Sequence, residues 1–170
     1  MYRIRFHGRG GQGMKTASRI LGSAFFREGF EVQDAPRYGA EQRGAPIFAY
    51  VRAARQPIHE RGAIAQPDLV VVADETLAPI PAAGVLAGVS ARSVLLINSA
   101  QPEDEWKTRL NYPGHIIRLP GGGELRERAE TATIGASCAG AAARLVGRIS
   151  RETLARAIDD EIAALGGEAA

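Results

Sequence analysis

The sequence contains one cysteine in 170 residues, and this scarcity excludes several kinds of site. A disulfide within the chain needs two cysteines, and an iron–sulfur cluster held by a single chain takes about four. We therefore expect Cys138 to be a buried structural thiol and any iron–sulfur cluster to lie on another chain. Three histidines without a second cysteine give no metal-ligand spacing, so no zinc or iron site is expected.

Long apolar runs are also missing, since none reaches the roughly 18 residues that a membrane helix needs. Residues 1–6 alternate like a strand and unlike a signal peptide, so we expect a cytoplasmic protein. Aromatic residues make up only 6% of the chain and the basic residues are scattered, which argues against nucleic-acid binding. Neither a P-loop nor a Ser-His-acid arrangement stands out in the sequence.

What the chain does have is a positive amino-terminal segment. The formal net charge is +2, yet residues 1–45 carry eight Arg or Lys against four Asp or Glu, and the remainder carries thirteen against fifteen. A local positive field beside glycines suits a phosphate-bearing small molecule or an acidic partner surface.

Hydrophobic patterning predicts an α/β fold with an open, mostly parallel, Rossmann-like sheet and helices on both faces, in a single domain spanning 1–170. Uninterrupted apolar runs at 68–73 and 93–98 are typical of parallel strands buried on both faces. Prolines and glycines between them predict a short or broken crossover. The other predicted strands are 2–7, 30–33, 46–51 and 115–119.

Three helices are predicted. One follows the first strand directly, and two finish the chain, the last of them beginning at a Ser150 N-cap and ending at Gly166. Helical spacing predicts that the penultimate helix buries Ile134, Cys138, Ala141 and Leu145, and that the last helix buries Leu154, Ile158, Ile162 and Leu165.

The first predicted strand runs into a glycine-rich loop with the pattern G-x-G-x-x-G, and Asp34 follows about twenty residues later. Glycines permit positive φ and expose amides at a helix N-terminus, so the loop suits an anion, and the full pattern suits NAD. Against NAD, Asp34 is followed by Ala35, Pro36 and a long polar loop unlike a ribose-binding turn. A tight turn that binds nothing is the plainer alternative. The loop residues are Gly8, Arg9, Gly10, Gly11, Gln12 and Gly13.

A second polar loop spans 34–44. Its Arg37, Tyr38, Glu41 and Arg43 form either a solvated surface or an interface that clamps phosphate. Because the carboxyl ends of parallel strands share one edge of a sheet, we expect this loop to meet the glycine loop there, together with the segments that follow Ala73 and Asn98. His7, just before the glycine loop, is expected to be a hydrogen-bonded structural histidine, with a ligand-facing role as the alternative.

Together, residues 6–13 (FHGRGGQG) and 34–46 (DAPRYGAEQRGAP) resemble the gamma subunit of pyruvate and 2-ketoisovalerate ferredoxin oxidoreductases. The resemblance is strong over residues 1–60 and continues weakly at 67–71, 97–98 and 133–136. It implies an enzyme that decarboxylates a 2-oxoacid on thiamine diphosphate, passes electrons through iron–sulfur clusters to ferredoxin or a similar acceptor, and releases an acyl-coenzyme A.

The resemblance further implies that thiamine diphosphate and the clusters belong to alpha, beta and delta-type subunits, and that this chain contributes no catalytic residue. By this resemblance, the chain would supply a docking surface and a loop that binds coenzyme A. The loop would be made by the glycine-loop residues together with Arg37, Tyr38 and Arg43. Two alternatives stay open: a stand-alone NAD-binding domain and an assembly module without a ligand. The first needs a substrate region for which 170 residues leave little space.

Overall fold

The computed structural model describes residues 1–37, 45–120 and 128–167. Six strands are β1 (Tyr2–Arg9), β2 (Glu31–Arg37), β3 (Pro46–Ala54), β4 (Leu69–Val72), β5 (Val94–Asn98) and β6 (His115–Leu119). The helices are α1 (Met14–Arg27), α2 (Glu103–Leu110), α3 (Arg128–Val146) and α4 (Arg151–Gly167), with 3-10 turns at Glu75–Leu77 and Pro81–Ala83. The short crossover predicted between the two apolar strands is confirmed by these two turns.

The six strands form one sheet in the order β2-β3-β1-β4-β5-β6. Strands β1, β4, β5 and β6 are parallel, and β3 runs antiparallel to both of its neighbours. The predicted α/β fold with a mostly parallel sheet is therefore confirmed. Strand β2 runs in the direction of β1, so five strands end at the same edge of the sheet, which we call the carboxyl edge. The opposite one is the amino edge.

Alternating side chains of the central strands enter two cores, one on each face of the sheet. On the first face, Phe6 and Val71 pack with residues of α1, α3 and α4. On the second face, Val70 and Val72 pack with Trp106 of α2 and with the 3-10 turns. Helices thus cover both faces, as predicted, although α2 itself was not predicted from the sequence.

The predicted burial of the last two helices is partly wrong. Ile134 and Cys138 are buried, but Leu145 is 39% exposed, and on α4 Ile162 and Leu165 are 61% and 41% exposed. Small residues explain the difference. Helix α3 buries alanines on the face that carries Cys138, and α4 buries Ala157. The N-cap is confirmed: the Ser150 Oγ accepts a hydrogen bond of 3.1 Å from the Thr153 amide.

The second strand is longer than predicted. The sequence indicated a loop beginning at Asp34, but β2 continues through Pro36 to Arg37. Pairing with β3 along its whole length holds it in place, from Glu31 opposite Ala54 to Arg37 opposite Phe48. Pro36 lies in an edge strand, the position in a sheet where proline is tolerated because one side of the strand has no ladder hydrogen bonds to lose.

Candidate functional site

The glycine loop joins the end of β1 to the start of α1 at the carboxyl edge. Gly11 and Gly13 have φ angles of 94° and 73°, which side-chain-bearing residues rarely adopt. Gly13 precedes α1 and, having no side chain, caps none of the amides in the first helical turn, which also contains no acidic residue. Uncapped amides at a helix N-terminus attract anions. This end of α1 therefore has the electrostatics of an anion site.

The glycines in the loop and the one that α3 packs against it are required for two different physical reasons. A Cβ at Gly8 would lie 2.6 Å from Cγ of Met14, and a Cβ at Gly135 of α3 would lie 2.7 Å from the Gly13 carbonyl oxygen. These two glycines are required for close packing. A Cβ at Gly11 would have no atom within 4 Å, so this glycine is required for its backbone conformation and borders open space.

Asp74 fixes the side chains of the glycine loop. Its Oδ2 accepts hydrogen bonds from Nε of Arg9 at 2.9 Å and from Nε2 of Gln12 at 3.3 Å. Oε1 of Gln12 in turn accepts from the Arg9 amide at 2.7 Å. The Arg9 and Asp74 side chains are 34% and 15% exposed. The guanidinium of Arg9 is thus held against the next loop of the sheet and does not point straight into solvent.

Asp74 also starts the 3-10 turn that follows β4. Its Oδ1 accepts from the Thr76 amide at 2.9 Å and from the Thr76 hydroxyl. Burial alone would raise the pKa of Asp74, but the hydrogen bonds from Thr76, the charge of Arg9 and the bond from Gln12 outweigh it and lower the pKa. The carboxylate is therefore ionised and joins two loops of the carboxyl edge. Sequence reasoning missed Asp74, whose only signal was its place directly after a buried strand.

Further polar contacts continue this connection across the edge. The Asn98 side-chain amide donates to the Ala73 carbonyl at 3.1 Å, and the hydroxyl of Ser99 donates to the carboxylate of Glu75. The indole Nε1 of Trp106 donates to the same Ser99 oxygen at 3.0 Å. The ends of β4 and β5 and the helix α2 are thereby held in one arrangement with the glycine loop.

The carboxyl-terminal end of the second polar loop lies beside the glycine loop. The Gly10 amide donates to the Ala45 carbonyl at 3.0 Å, and Pro46 pairs with Arg9. At the other end, Arg37 is opposite Phe48, which is itself opposite His7. Arg37 is therefore the last residue of β2 at this edge. The remaining predicted site residues of this loop, Tyr38 and Arg43, lie outside the described residues.

His7 is buried, as expected, but without the predicted hydrogen bond. It is 2% exposed, its ring packs edge-on against Phe48 with a centroid distance of 5.0 Å, and neither ring nitrogen has a hydrogen-bond partner. Burial, reinforced by the charge of Arg5, lowers the pKa of His7 to about 3. Neutral and enclosed, it does not face the open side of the glycine loop.

A family model described as pyruvate ferredoxin/flavodoxin oxidoreductase matches residues 3–169 of the chain. The chain belongs to this family. A Thermococcus kodakarensis relative, the pyruvate/ketoisovalerate oxidoreductases common subunit gamma, is 36% identical over 99% of this chain and 90% of its own length. The Pyrococcus furiosus protein of that name is 34% identical, again over 99% of this chain and 90% of its own length.

A solved structure of a relative gives the same fold. The crystal structure of pyruvate oxidoreductase subunit PORC from Thermotoga maritima superposes with a TM-score of 0.74 at 30% identity, covering 94% of this chain and 84% of that one. The sheet described above is therefore the fold of a known member of the pyruvate ferredoxin/flavodoxin oxidoreductase family.

In this chain, the position of Asp34 does not fit an NAD site. Asp34 pairs with Val51, which pairs with Ile4, so the carboxylate lies at mid-sheet and away from the Arg9 end of β1. The antiparallel β3 also separates β2 from β1. A dinucleotide fold instead places the second strand beside the first and the acidic residue near the ligand edge. The G-x-G-x-x-G pattern thus occurs without its usual strand neighbour.

Residues 1–37, 45–120 and 128–167 contain neither a metal-binding cluster nor a membrane-spanning helix. No group of three His, Cys, Asp or Glu side chains in this part of the chain is placed to hold a metal ion. Within the same residues, every helix is too short or too polar to span a bilayer.

Proposed function

We propose that this chain is the gamma subunit of an oxidoreductase complex that converts a 2-oxoacid and coenzyme A to an acyl-coenzyme A and carbon dioxide, with electrons passing to ferredoxin or a similar acceptor. The observation that carries the proposal is the match to relatives named as gamma subunits over 90% of their length. Thiamine diphosphate and iron–sulfur clusters belong, in this proposal, to alpha, beta and delta-type partner subunits in the cytoplasm.

The side chains of this chain support a non-catalytic part. Cys138 is fully buried, and burial raises the pKa of its thiol to about 12, so it is neither a nucleophile nor a cluster ligand. His7 is a buried neutral group, and Asp74 is engaged by Arg9 and Gln12. None of these three side chains is thus available as a nucleophile, a proton-transfer group or a cluster ligand, which fits chemistry performed on other chains.

The glycine loop fits a phosphate group of coenzyme A, which supplies the thiol that accepts the acyl group. The uncapped first turn of α1 offers backbone amides, Gly11 leaves space beside the loop, and Lys15 in that turn is exposed and positive. Arg9 contributes its charge from its place against Asp74. We propose that this chain orients coenzyme A through the loop backbone and leaves the reacting thiol to the neighbouring subunits.

The second polar loop belongs to the same proposed surface. The Ala45 carbonyl accepts from the Gly10 amide, so one end of this loop adjoins the glycine loop. Arg37 ends β2 at the same edge of the sheet, on the far side of β3. From the sequence, Tyr38 and Arg43 are proposed to join Arg37 in binding coenzyme A phosphates or partner subunits.

The role of the glycine loop can be tested with two glycines that have similar backbone conformations but lie in different parts of the chain. Gly11 and Gly62 have φ angles of 94° and 74°, and a Cβ at either would have no atom within 4 Å. Valine at each should therefore cost similar folding energy, on the order of 1 to 3 kcal/mol. In a reconstituted complex, we expect Gly11→Val to abolish acyl-coenzyme A formation and Gly62→Val to retain it. Equal activity of the two variants would remove the glycine loop from the site.

An assembly module without a ligand is the second candidate, favoured by the internal contacts of Arg9 with Asp74 and Thr76. Arg43→Ala separates the two. Losing a charge-assisted hydrogen bond costs about 1.5 to 3 kcal/mol, a roughly 10- to 150-fold effect. A raised KM for coenzyme A in an intact complex supports the coenzyme A proposal, whereas weakened assembly with an unchanged KM supports the module.

A further inference from the structure

A groove runs along the amino edge of the sheet, on the side opposite the glycine loop. Its wider part has a volume of about 840 Å³ and is lined by Tyr2, Phe30, Arg55 and Arg148. A narrower part of about 160 Å³ shares Tyr2 and is lined by apolar side chains, among them Leu145. The groove therefore has one aromatic, positively charged end and one apolar end.

The cationic groups of the wide end are held in fixed positions. The Arg55 guanidinium stacks on the Phe30 ring, with Cζ 3.8 Å from the ring centroid, and its Nη1 donates to the Glu28 carbonyl at 2.7 Å. Nε of Arg148 donates to the Tyr2 hydroxyl at 3.1 Å.

The carboxylates near the groove already have partners. Glu28 accepts a hydrogen bond of 2.9 Å from the Ser150 amide, which lowers the pKa of Glu28. Asp68, in the narrow end, accepts from the Arg3 amide at 2.8 Å. The charge of Arg55 also acts on Glu28. Glu28 is not among the residues that line the wide end, however, and those described residues include Arg55 and Arg148 but no carboxylate. The lining of this end is therefore positive and suits an anionic partner.

Exposed apolar residues lie beside these charges. Met1 is 47% exposed and Leu145 is 39% exposed, and both line the groove. Leu145 follows the helical spacing of a buried stripe on α3, yet it stays partly exposed beside Ile4 and Leu69, which line the same narrow end. Apolar area beside fixed cations is the composition of a protein interface, in which arginine and large apolar residues are enriched.

We infer that this groove is the docking site for an extended, acidic segment of another subunit. The carboxylates of that segment pair with Arg55 and Arg148, and a neighbouring apolar side chain of the same segment covers Leu145. The two ends of the groove are joined at Tyr2, which matches a polypeptide carrying both kinds of side chain in sequence. The inference rests on the proposed function only in taking the partner to be a subunit of the same complex.

The first experiment reverses charge in the full complex. Arg148→Glu is compared with Arg148→Lys, which keeps the charge, and with Lys107→Glu, an exposed reversal on α2 away from the groove. We expect Arg148→Glu to weaken assembly at least 10-fold, Arg148→Lys to weaken it less, and Lys107→Glu to leave it unchanged. A melting temperature equal to that of the parent chain shows that Arg148→Glu folds. Normal assembly of the folded Arg148→Glu subunit would overturn the inference.

The second experiment identifies the occupant. A photo-reactive side chain is placed at Gln56, an exposed residue lining the wide end, and the native complex is irradiated and mapped by mass spectrometry. A cross-link to an Asp- or Glu-containing segment of a different subunit supports the inference. A cross-link to a second copy of this chain overturns it. A small anionic metabolite that fills the groove in the native complex also overturns it. If turnover of a 2-oxoacid persists in that case, the proposed function stands without the groove.

Discussion

The Nε atom of Arg9 lies 2.9 Å from Oδ2 of Asp74, and this ion pair joins the glycine loop to the segment after β4. Because Gln12 shares the same carboxylate oxygen, one acidic side chain positions two residues of the loop. The loop conformation is therefore set by a neighbouring strand as much as by its glycines.

Asp74→Asn should loosen this connection without unfolding the chain. Asparagine keeps an oxygen for capping the 3-10 turn but loses the charge that pairs with Arg9. Since the Arg9 side chain is 34% exposed, solvent weakens the pair, and we expect a coupling energy of about 1 kcal/mol. A double-mutant cycle of Asp74→Asn with Arg9→Met, followed by urea denaturation, measures it. Additive effects of the two substitutions would show that the pair contributes nothing.

Packing of α3 on the glycine loop gives a prediction with an internal control. At Gly135 an added Cβ would lie 2.7 Å from the Gly13 carbonyl oxygen, whereas at Gly140 the nearest atom would be Cδ2 of Leu154 at 3.9 Å. We expect Gly135→Ala to destabilise the protein by about 1 to 3 kcal/mol through overpacking.

The control, Gly140→Ala, should be neutral or stabilising by up to about 1 kcal/mol, because alanine is the better helix former and the site has space. Denaturant unfolding of both variants makes the comparison. Equal stabilities for the two alanines would mean that α3 does not approach Gly13 as closely as described.

The buried His7 should make stability depend on pH. The pKa of His7 is about 3 in the folded chain and about 6.5 when unfolded, so between these two pH values the unfolded chain binds the proton far better than the folded chain. Stability is therefore lost as pH falls from 6.5 toward 3, by about 2 kcal/mol at pH 5 from this group. His7→Leu should remove this slope, and His115→Gln, at an exposed histidine of β6, should not. An unchanged slope in His7→Leu would mean that His7 is protonated in the folded protein.

NAD and NADP should bind the isolated chain weakly or not at all. Asp34 lies at mid-sheet, and β3 occupies the place beside β1 where a dinucleotide fold has its second parallel strand. Isothermal titration calorimetry with both nucleotides tests this. A dissociation constant in the low micromolar range, about −8 kcal/mol, would restore the dehydrogenase alternative.

The sequence predicts the sheet better than it predicts the burial of the helices. The apolar runs around Val71 and Leu96 mark buried parallel strands because hydrophobic side chains face both cores there. On α3 and α4, by contrast, leucine and isoleucine spacing predicted the buried face, but the tight contact is made by small residues such as Ala143 and Ala157. Close helix packing selects against large side chains, and spacing alone carries no measure of distance between helices.

For the candidate site, too, the sequence predicted one part and missed another. The glycine loop and its junction with the second polar loop were predicted, because strand ends converge at one edge of a sheet. Asp74 was not predicted, since its role depends on the register of β1 against β4, which pairs His7 with Val72 and so brings Arg9 within reach of the carboxylate. Strand register is a long-range property that local pattern does not contain.

The central claim is that this chain works as one subunit of a larger oxidoreductase. The most direct test is to purify it from its native source under mild conditions, determine the composition by native mass spectrometry, and assay 2-oxoacid oxidation with coenzyme A. We expect the activity to follow a hetero-oligomer that contains this chain and subunits carrying thiamine diphosphate and iron–sulfur clusters. A monomer of this chain that turns over a 2-oxoacid by itself would contradict the account.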